Sequence, residues 1–310
     1  MTSQQTTPVT AETSGTWTLG DLPVRRVGFG AMRLPQTGTA LVADAVPRDR
    51  GRAISVLRRA VDLGVNHIDT ADFYFSPLRS ANELINSALG GPYPSDLVIA
   101  TKVGPRRAAD GTWATSAAPG ELRGQVEENL RQLGRDHLDL VYLRVMRPGP
   151  VGEHFGALAE LREKGLIRHL GLSNIGPEHL DEARRIAPVV GVQNPYGLGF
   201  NAGQAGFVAR CGELGIAFVP FYAIAGAAKE DGGVGGGSPE VSAIARAHDA
   251  TPAQVRLAWS LAQGPNLLAI PGTGDPEHLA ANVAAGALAL TDAELATLND
   301  AHRGPRGETA

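Results

Sequence analysis

Four residues of this 310-residue chain have types and spacings suited to acid–base chemistry on an oxygen atom. Asp69 and Tyr74 bracket the run Asp69-Thr70-Ala71-Asp72-Phe73-Tyr74, Lys102 closes an apolar run begun at Leu97, and Arg144 follows a second run begun at Asp139. A free tyrosine titrates near ~10 and gives up its proton reluctantly at neutral pH. An ammonium beside it stabilises the phenolate left behind, and a carboxylate beside the ammonium holds that charge in place. An arginine stays protonated and offers planar donors to an oxygen or an anion. Taken singly, each residue has a plainer reading: a carboxylate capping a turn, a solvated lysine, a packed tyrosine. The group acquires chemical meaning only if the fold brings its members to one place.

The elements that must do this alternate regularly. Apolar, strand-like runs occupy 27–31, 65–69, 97–102, 139–143, 167–173, 189–193, 216–221 and 267–272. Helical patterns lie between them, among others at 52–63, 119–133, 153–164, 177–186, 202–214 and 251–263. Gly134, Gly165 and Gly215 close helices, and Thr251-Pro252-Ala253-Gln254 reads as a capping box with proline at the first helical position. Pro177 and Pro276 stand in the same place in their helices. Parallel neighbours need crossover helices, and continuous apolar strands suit burial on both faces. The reading is α/β: a (β/α)8 TIM barrel preceded by a short β-hairpin turning at Gly20-Asp21, with an open doubly wound sheet as the alternative. Residues 1–15 are expected to be a disordered tail and 16–310 a single barrel domain. In such a barrel the carboxyl ends of the strands form the active face, which gathers Asp69, Tyr74, Lys102 and Arg144 with Ser173-Asn174, Gln193-Asn194, Phe221-Tyr222 and Gly272-Thr273.

Composition excludes several classes. With 28 basic and 32 acidic residues the net charge is −4, which gives no electrostatic footprint for nucleic acid. No run approaches the ~20 apolar residues of a membrane span, and the N-terminal residues lack a signal-peptide pattern, so a cytoplasmic protein is expected. The single cysteine, Cys211, is read as a packed apolar residue. The eight histidines show no paired ligand spacing, and no metal is expected. Gly197-Leu-Gly-Phe-Asn-Ala202 fits a degenerate dinucleotide pattern but lacks its early position and its acidic strand end, and is read as a loop. The glycine run 232–237 is read as a surface loop or a flap over a cofactor.

The chain resembles the aldo-keto reductase family over roughly residues 16–300. The resemblance is carried by GVNHIDTADFY (64–74), IATKVG (99–104), DHLDLVYLRV (136–145), HLGLSN (169–174), VQN (192–194) and IPGTGDPEHLAAN (270–282). Within the family it is most similar to the bacterial pyridoxal reductase-like group, sharing DFY, LRVM and IPGT. The family's tetrad of Asp, Tyr, Lys and His then falls on Asp69, Tyr74, Lys102 and Arg144, the last a departure from the usual histidine. The implied reaction is hydride transfer from NADPH to an aldehyde or ketone, with Tyr74 protonating the oxygen. Lys102 and Arg144 are both expected to face that tyrosine. For the cofactor the resemblance implies Ser173, Asn174 and Gln193 on the nicotinamide carboxamide and Phe221 stacked on its ring. It further implies Ala223, Ile224, Ala225 and Gly226 along the pyrophosphate, Gly30, Ala31 and Met32 from the first strand, and Gly272, Thr273, His278 and Asn282 at the adenosine. Gly272 and His278 stand where basic residues are common, so NADPH is favoured over NADH without a permanent charge to explain it.

Phe75, Trp113, Met146 and Tyr222 are the expected substrate contacts, with Phe75 narrowing the pocket where the family usually has glycine. A tail without an aromatic extension favours a modest substrate such as pyridoxal. The alternatives are a sugar or natural-product ketoreductase, a non-catalytic NADPH-binding regulatory subunit, and an aldolase using Lys102 as a Schiff base. The partner expected is a small-molecule carbonyl compound.

Overall fold

The structure is a computed structural model that describes residues 9–114, 116–224 and 238–303. Its centre is a parallel sheet of seven strands: β3 (Phe29–Gly30), β4 (His67–Asp69), β5 (Val98–Val103), β6 (Leu138–Arg144), β7 (Ile167–Ser173), β8 (Val189–Gln193) and β9 (Ala217–Phe218). They pair strictly in chain order, as βα units joined by right-handed crossovers should. The eighth run does not form a continuous ladder. It closes the ring through two isolated parallel bridges, Phe218 with Leu267 and Val27 with Ala269. Five backbone bonds hold this seam: Phe218 N to Asn266 O at 2.8 Å, Leu268 N to Phe218 O at 3.0 Å, Ala269 N to Arg26 O at 2.8 Å, Gly28 N to Ala269 O at 2.8 Å and Gly30 N to Pro271 O at 3.3 Å.

The ring of helices is α1 (Arg50–Asp62), α2 (Ala81–Leu89), α3 (Leu122–Leu133), α4 (Gly152–Glu163), α5 (Pro177–Arg184), α6 (Ala205–Glu213), α7 (Pro239–Ala247), α8 (Pro252–Ala262), α9 (Pro276–Ala284) and α10 (Asp292–Arg303). Local chemistry sets their ends. The Thr251–Gln254 capping box opens α8, and Asp275 Oδ1 accepts from the amides of Glu277 and His278 to open α9. Gly134 closes α3 in the left-handed conformation that a Cβ would penalise. No single described helix is long and apolar enough to cross a membrane.

The hairpin β1 (Thr16–Leu19) and β2 (Leu22–Arg25) turns at Gly20-Asp21 as read from sequence. Its Leu19, Leu22 and Val24 cluster with inward residues of the sheet, including Val98, Leu140, Tyr142 and Leu268. The hairpin therefore stops the amino end of the ring and leaves the carboxyl end open. One boundary needs correction. Residues 11–14 are not a disordered tail but a 3-10 turn whose Ala11 is buried against the core, its amide bonded to Leu63 O at 2.8 Å. The segment spends its few apolar atoms on the base of α1, which polar composition alone does not reveal. Cys211 is buried and its thiol is pushed up to about 12 by that burial, which suits the packing role expected of it.

Candidate active site

Strand register delivers the acid–base residues. Asp69 ends β4 opposite Ala100 of β5, and Lys102 stands on the same β5 face two residues on, since side chains alternate along a strand. Lys102 Nζ donates to Asp69 Oδ1 at 2.6 Å and to Thr70 O at 2.9 Å. The second carboxylate oxygen, Oδ2, accepts from Gln193 Nε2 at 2.7 Å, reaching across the mouth from β8. This ion pair is almost fully enclosed, with Asp69 3% and Lys102 1% exposed. Removing two charges from water is tolerated because each is paired and further bonded. Lys102 Nζ also stands 4.8 Å from the centroid of the Tyr74 ring, whose edge packs on Phe73 at 5.1 Å.

A second network supports the same strands from outside the barrel. Thr70 and Thr101 are the outward neighbours of Asp69 and Lys102. The Thr70 hydroxyl donates to Asn82 Oδ1 at 2.7 Å, and Asn82 Nδ2 donates to Asn129 Oδ1 at 2.9 Å. The Thr101 hydroxyl donates to that same Asn129 oxygen at 2.6 Å, and Asn129 Nδ2 reaches Gln125 O at 2.8 Å. All four side chains are buried. Asn82 on α2 and Asn129 on α3 thus fix the two strands that carry the ion pair, a function that sequence reading missed.

Asp72 lies within the same motif. Its Oδ1 is sealed from solvent and has no hydrogen-bond partner, although the residue as a whole keeps some exposure. Burial pushes its carboxyl up to about 7. His67 is fully buried on β4, and burial drives its imidazole down to about 4.

Above the ion pair opens a cavity of about 1070 Å³ whose wall includes Asp69, Tyr74, Arg144, Asn174 and Gln193. Of the other residues expected there, Gly30, Met32, Phe221, Ala223, Ile224, Gly272, Thr273, His278 and Asn282 line it, as do Trp113, Met146 and Tyr222. Ala225 and Gly226, with the glycine run 232–237, lie outside the described residues.

Four expectations need correction. Ala31 is buried in a 3-10 turn behind the wall. Ser173 is fully buried and reaches the cavity only through Arg144, whose Nη1 donates to its hydroxyl at 3.3 Å. Phe75 does not narrow the pocket. A two-residue ladder with Ser80 turns it away, and its ring lies 4.2 Å beneath the Arg107 guanidinium. Arg144, finally, makes its contacts with Ser173 and with the Phe221 ring at 5.0 Å, so the phenol has the Lys102 cation beside it but not a second one in contact. Sequence reading also missed three arginines on the wall, Arg33, Arg48 and Arg52.

The model of the Aldo/keto reductase family matches residues 26–303. The chain belongs to the aldo/keto reductase family. It is an NADPH-dependent type of oxidoreductase acting on carbonyl groups. This reductase is 43% identical to pyridoxine 4-dehydrogenase of Escherichia coli over 297 residues, covering 94% of this chain and 99% of that one. It is 30% identical to a probable aldo-keto reductase 1 of Glycine max, covering 97% and 90%. Among solved structures, it superposes on an aldo-keto reductase of Klebsiella pneumoniae in complex with NADPH with a TM-score of 0.75 at 26% identity, covering 93% and 94%.

The donor set suits a dinucleotide. Asn174, Thr273 and Asn282 supply neutral donors and acceptors along the wall, Phe221 an aromatic face, and the arginines cationic donors. At the first strand, the backbones of Gly30 and Ile270 approach so closely that a Cβ on Gly30 would sit 2.6 Å from Ile270 O, so nothing protrudes from this stretch of wall.

Proposed function

We propose that this reductase reduces a small aldehyde with NADPH, with pyridoxal as the first substrate to test, and that Tyr74 is its proton donor. The observation that carries the reading is the buried Lys102–Asp69–Gln193 chain beside the Tyr74 ring at the base of the cavity. A bound nicotinamide would supply the hydride. As negative charge grows on the substrate oxygen, the Tyr74 hydroxyl hands over its proton. Lys102, fixed by Asp69 and Thr70 O, stabilises the phenolate without having to move, so little reorganisation is needed. Gln193 keeps the carboxylate from swinging toward the mouth. Arg144 packs over Phe221, the ring against which we place the nicotinamide, rather than tuning the tyrosine. Asn174, held in a left-handed conformation with its Nδ2 on Val145 O at 2.8 Å, is assigned to the carboxamide. Trp113, Met146 and Tyr222 are assigned to the substrate.

Pyridoxal is favoured by the E. coli relative, a pyridoxine 4-dehydrogenase. The pairing and burial of Lys102 argue against covalent use of its amine, because a Schiff base would leave Asp69 buried without its counter-charge. The test is NADPH oxidation followed at 340 nm with pyridoxal and a panel of aldehydes and ketones, in wild type and in Tyr74→Phe. Turnover of pyridoxal that disappears in the variant supports the reading. Equal turnover in both enzymes would remove Tyr74 from its role.

A further inference from the structure

Arg33, Arg48 and Arg52 line the cavity where the start of α1 faces the start of α9. Their situations differ. Arg52 is neutralised, with Nη2 on Asp275 Oδ2 at 2.6 Å and Nε on Gly274 O at 3.0 Å. Arg48 has no carboxylate partner among the described residues. It donates to two neutral oxygens, Arg33 O at 3.2 Å and Gln36 O at 3.0 Å. Its guanidinium lies directly against the backbone of Gly274, where any Cβ would collide with it. Nearby carboxylates are occupied elsewhere: Asp275 caps α9, and Asp49 caps α1 by accepting from Arg52 N at 2.7 Å. Burial, and then the charges of Arg52 and Arg33, disfavour the protonated form of Arg48, and the Asp275 carboxylate partly offsets them. Arg48 is thus a half-buried cation held by neutral carbonyls, with two other arginines beside it.

Building on the NADPH-dependent reading above, we infer that Arg48 receives a phosphate monoester, the 2′-phosphate of the cofactor, and sets the preference for NADPH over NADH. The planar fork of an arginine matches a phosphate dianion in both geometry and charge. The positions that resemblance assigns to this end, Gly272 and His278, hold no permanent charge, so the discrimination must come from other residues. Arg48 precedes α1, and its guanidinium packs on Gly274 just before α9. Tyr74 and Lys102 lie at the mouth of the strands. A phosphate on a small substrate held at Tyr74 is the other source of such an anion, and the experiment separates the two.

Binding of 2′,5′-ADP and of 5′-AMP, which differ only in the 2′-phosphate, is measured by calorimetry on wild type, Arg48→Met and Gly274→Ala. Wild type should prefer 2′,5′-ADP at least tenfold. Arg48→Met should bring that ratio close to one, and Gly274→Ala, which displaces the guanidinium without removing it, should lower it too. An unchanged ratio in Arg48→Met overturns the inference. So does equal weakening of both nucleotides, which would make Arg48 only a brace between Arg33 and Gln36. A rise in KM confined to pyridoxal 5′-phosphate, with pyridoxal and the nucleotide ratio unaffected, would assign the site to a substrate phosphate and also overturn it. If wild type binds neither nucleotide nor NADPH, the reductase reading falls and takes this inference with it.

Discussion

At the Tyr74 end of the cavity, the Lys102 ammonium has its counter-charge, and both oxygens of Asp69 have donors. The strands beneath them are tied to two helices by buried amides. At the Gly274 end, Arg48 rests on neutral carbonyls beside two other arginines. The first arrangement is complete before any ligand binds. It suits a step in which charge must be stabilised without rearrangement. The second presents a guanidinium bonded only to neutral oxygens, which suits recognition of an anion on a ligand. Proton transfer and cofactor choice should therefore respond separately to substitution.

The largest effect expected is at the finished end. Tyr74→Phe should lower kcat for aldehyde reduction by about 10²–10⁴-fold while leaving the quenching of protein fluorescence by NADPH intact. Loss of both would mean that the two ends are not separable. Next is Lys102→Met, which strands Asp69 as a buried unpaired carboxylate. It should cost about 3–5 kcal/mol of stability by urea unfolding, with activity lost as well. A loss under 1 kcal/mol would show that water reaches the pair.

The third prediction concerns pH. The Asp72 carboxyl titrates at about 7 when folded and near 3.8 when unfolded, so the native state holds its proton more tightly. Its burial costs nothing below pH 3.8, and the cost grows as pH rises to 7. Asp72→Asn should match wild type at pH 4 and exceed it by a few kcal/mol at pH 8. His67 acts in the opposite sense, because its folded value of about 4 makes stability fall as pH drops below 6.5. The difference between variant and wild type at each pH isolates Asp72, and a difference that does not vary with pH would refute the assignment. The smallest effect is expected for Asn129→Leu. It leaves Asn82 and Thr101 without their shared acceptor and should cost about 1–3 kcal/mol. It should also lower kcat while the 2′,5′-ADP to 5′-AMP ratio stays unchanged. A shift in that ratio would show that the two ends communicate.

The ion pair was legible in the sequence because its members sit at the ends of successive apolar strands, where side-chain alternation leaves little choice of direction. Phe75 was misread because a two-residue ladder immediately after Tyr74 reverses the chain, too short a feature to leave a pattern. Asn82 and Asn129 are single amides on otherwise apolar helix faces, and each finds its partners in elements distant in sequence. Their sequences carry only a weak trace, a polar residue where the helical stripe asks for an apolar one. Arg48 leaves none. It belongs to the long excursion between β3 and α1, where neither a helical nor a strand period applies, and its meaning depends on Gly274 from the other end of the chain. The run 267–272 was legible as apolar, but not as a seam of isolated bridges.

That seam has a kinetic consequence. The bridge between Val27 and Ala269 joins segments from opposite ends of the chain, so the ring cannot close until nearly the whole polypeptide has been synthesised. Contacts so distant in sequence form slowly, since the loop entropy is lost before they are made. Until then the growing chain is an open sheet, with β3 exposing one unpaired edge. The hairpin at 16–25 covers only the amino end of that sheet. The nascent protein must carry this bare edge past its neighbours until the last strand arrives to seal it.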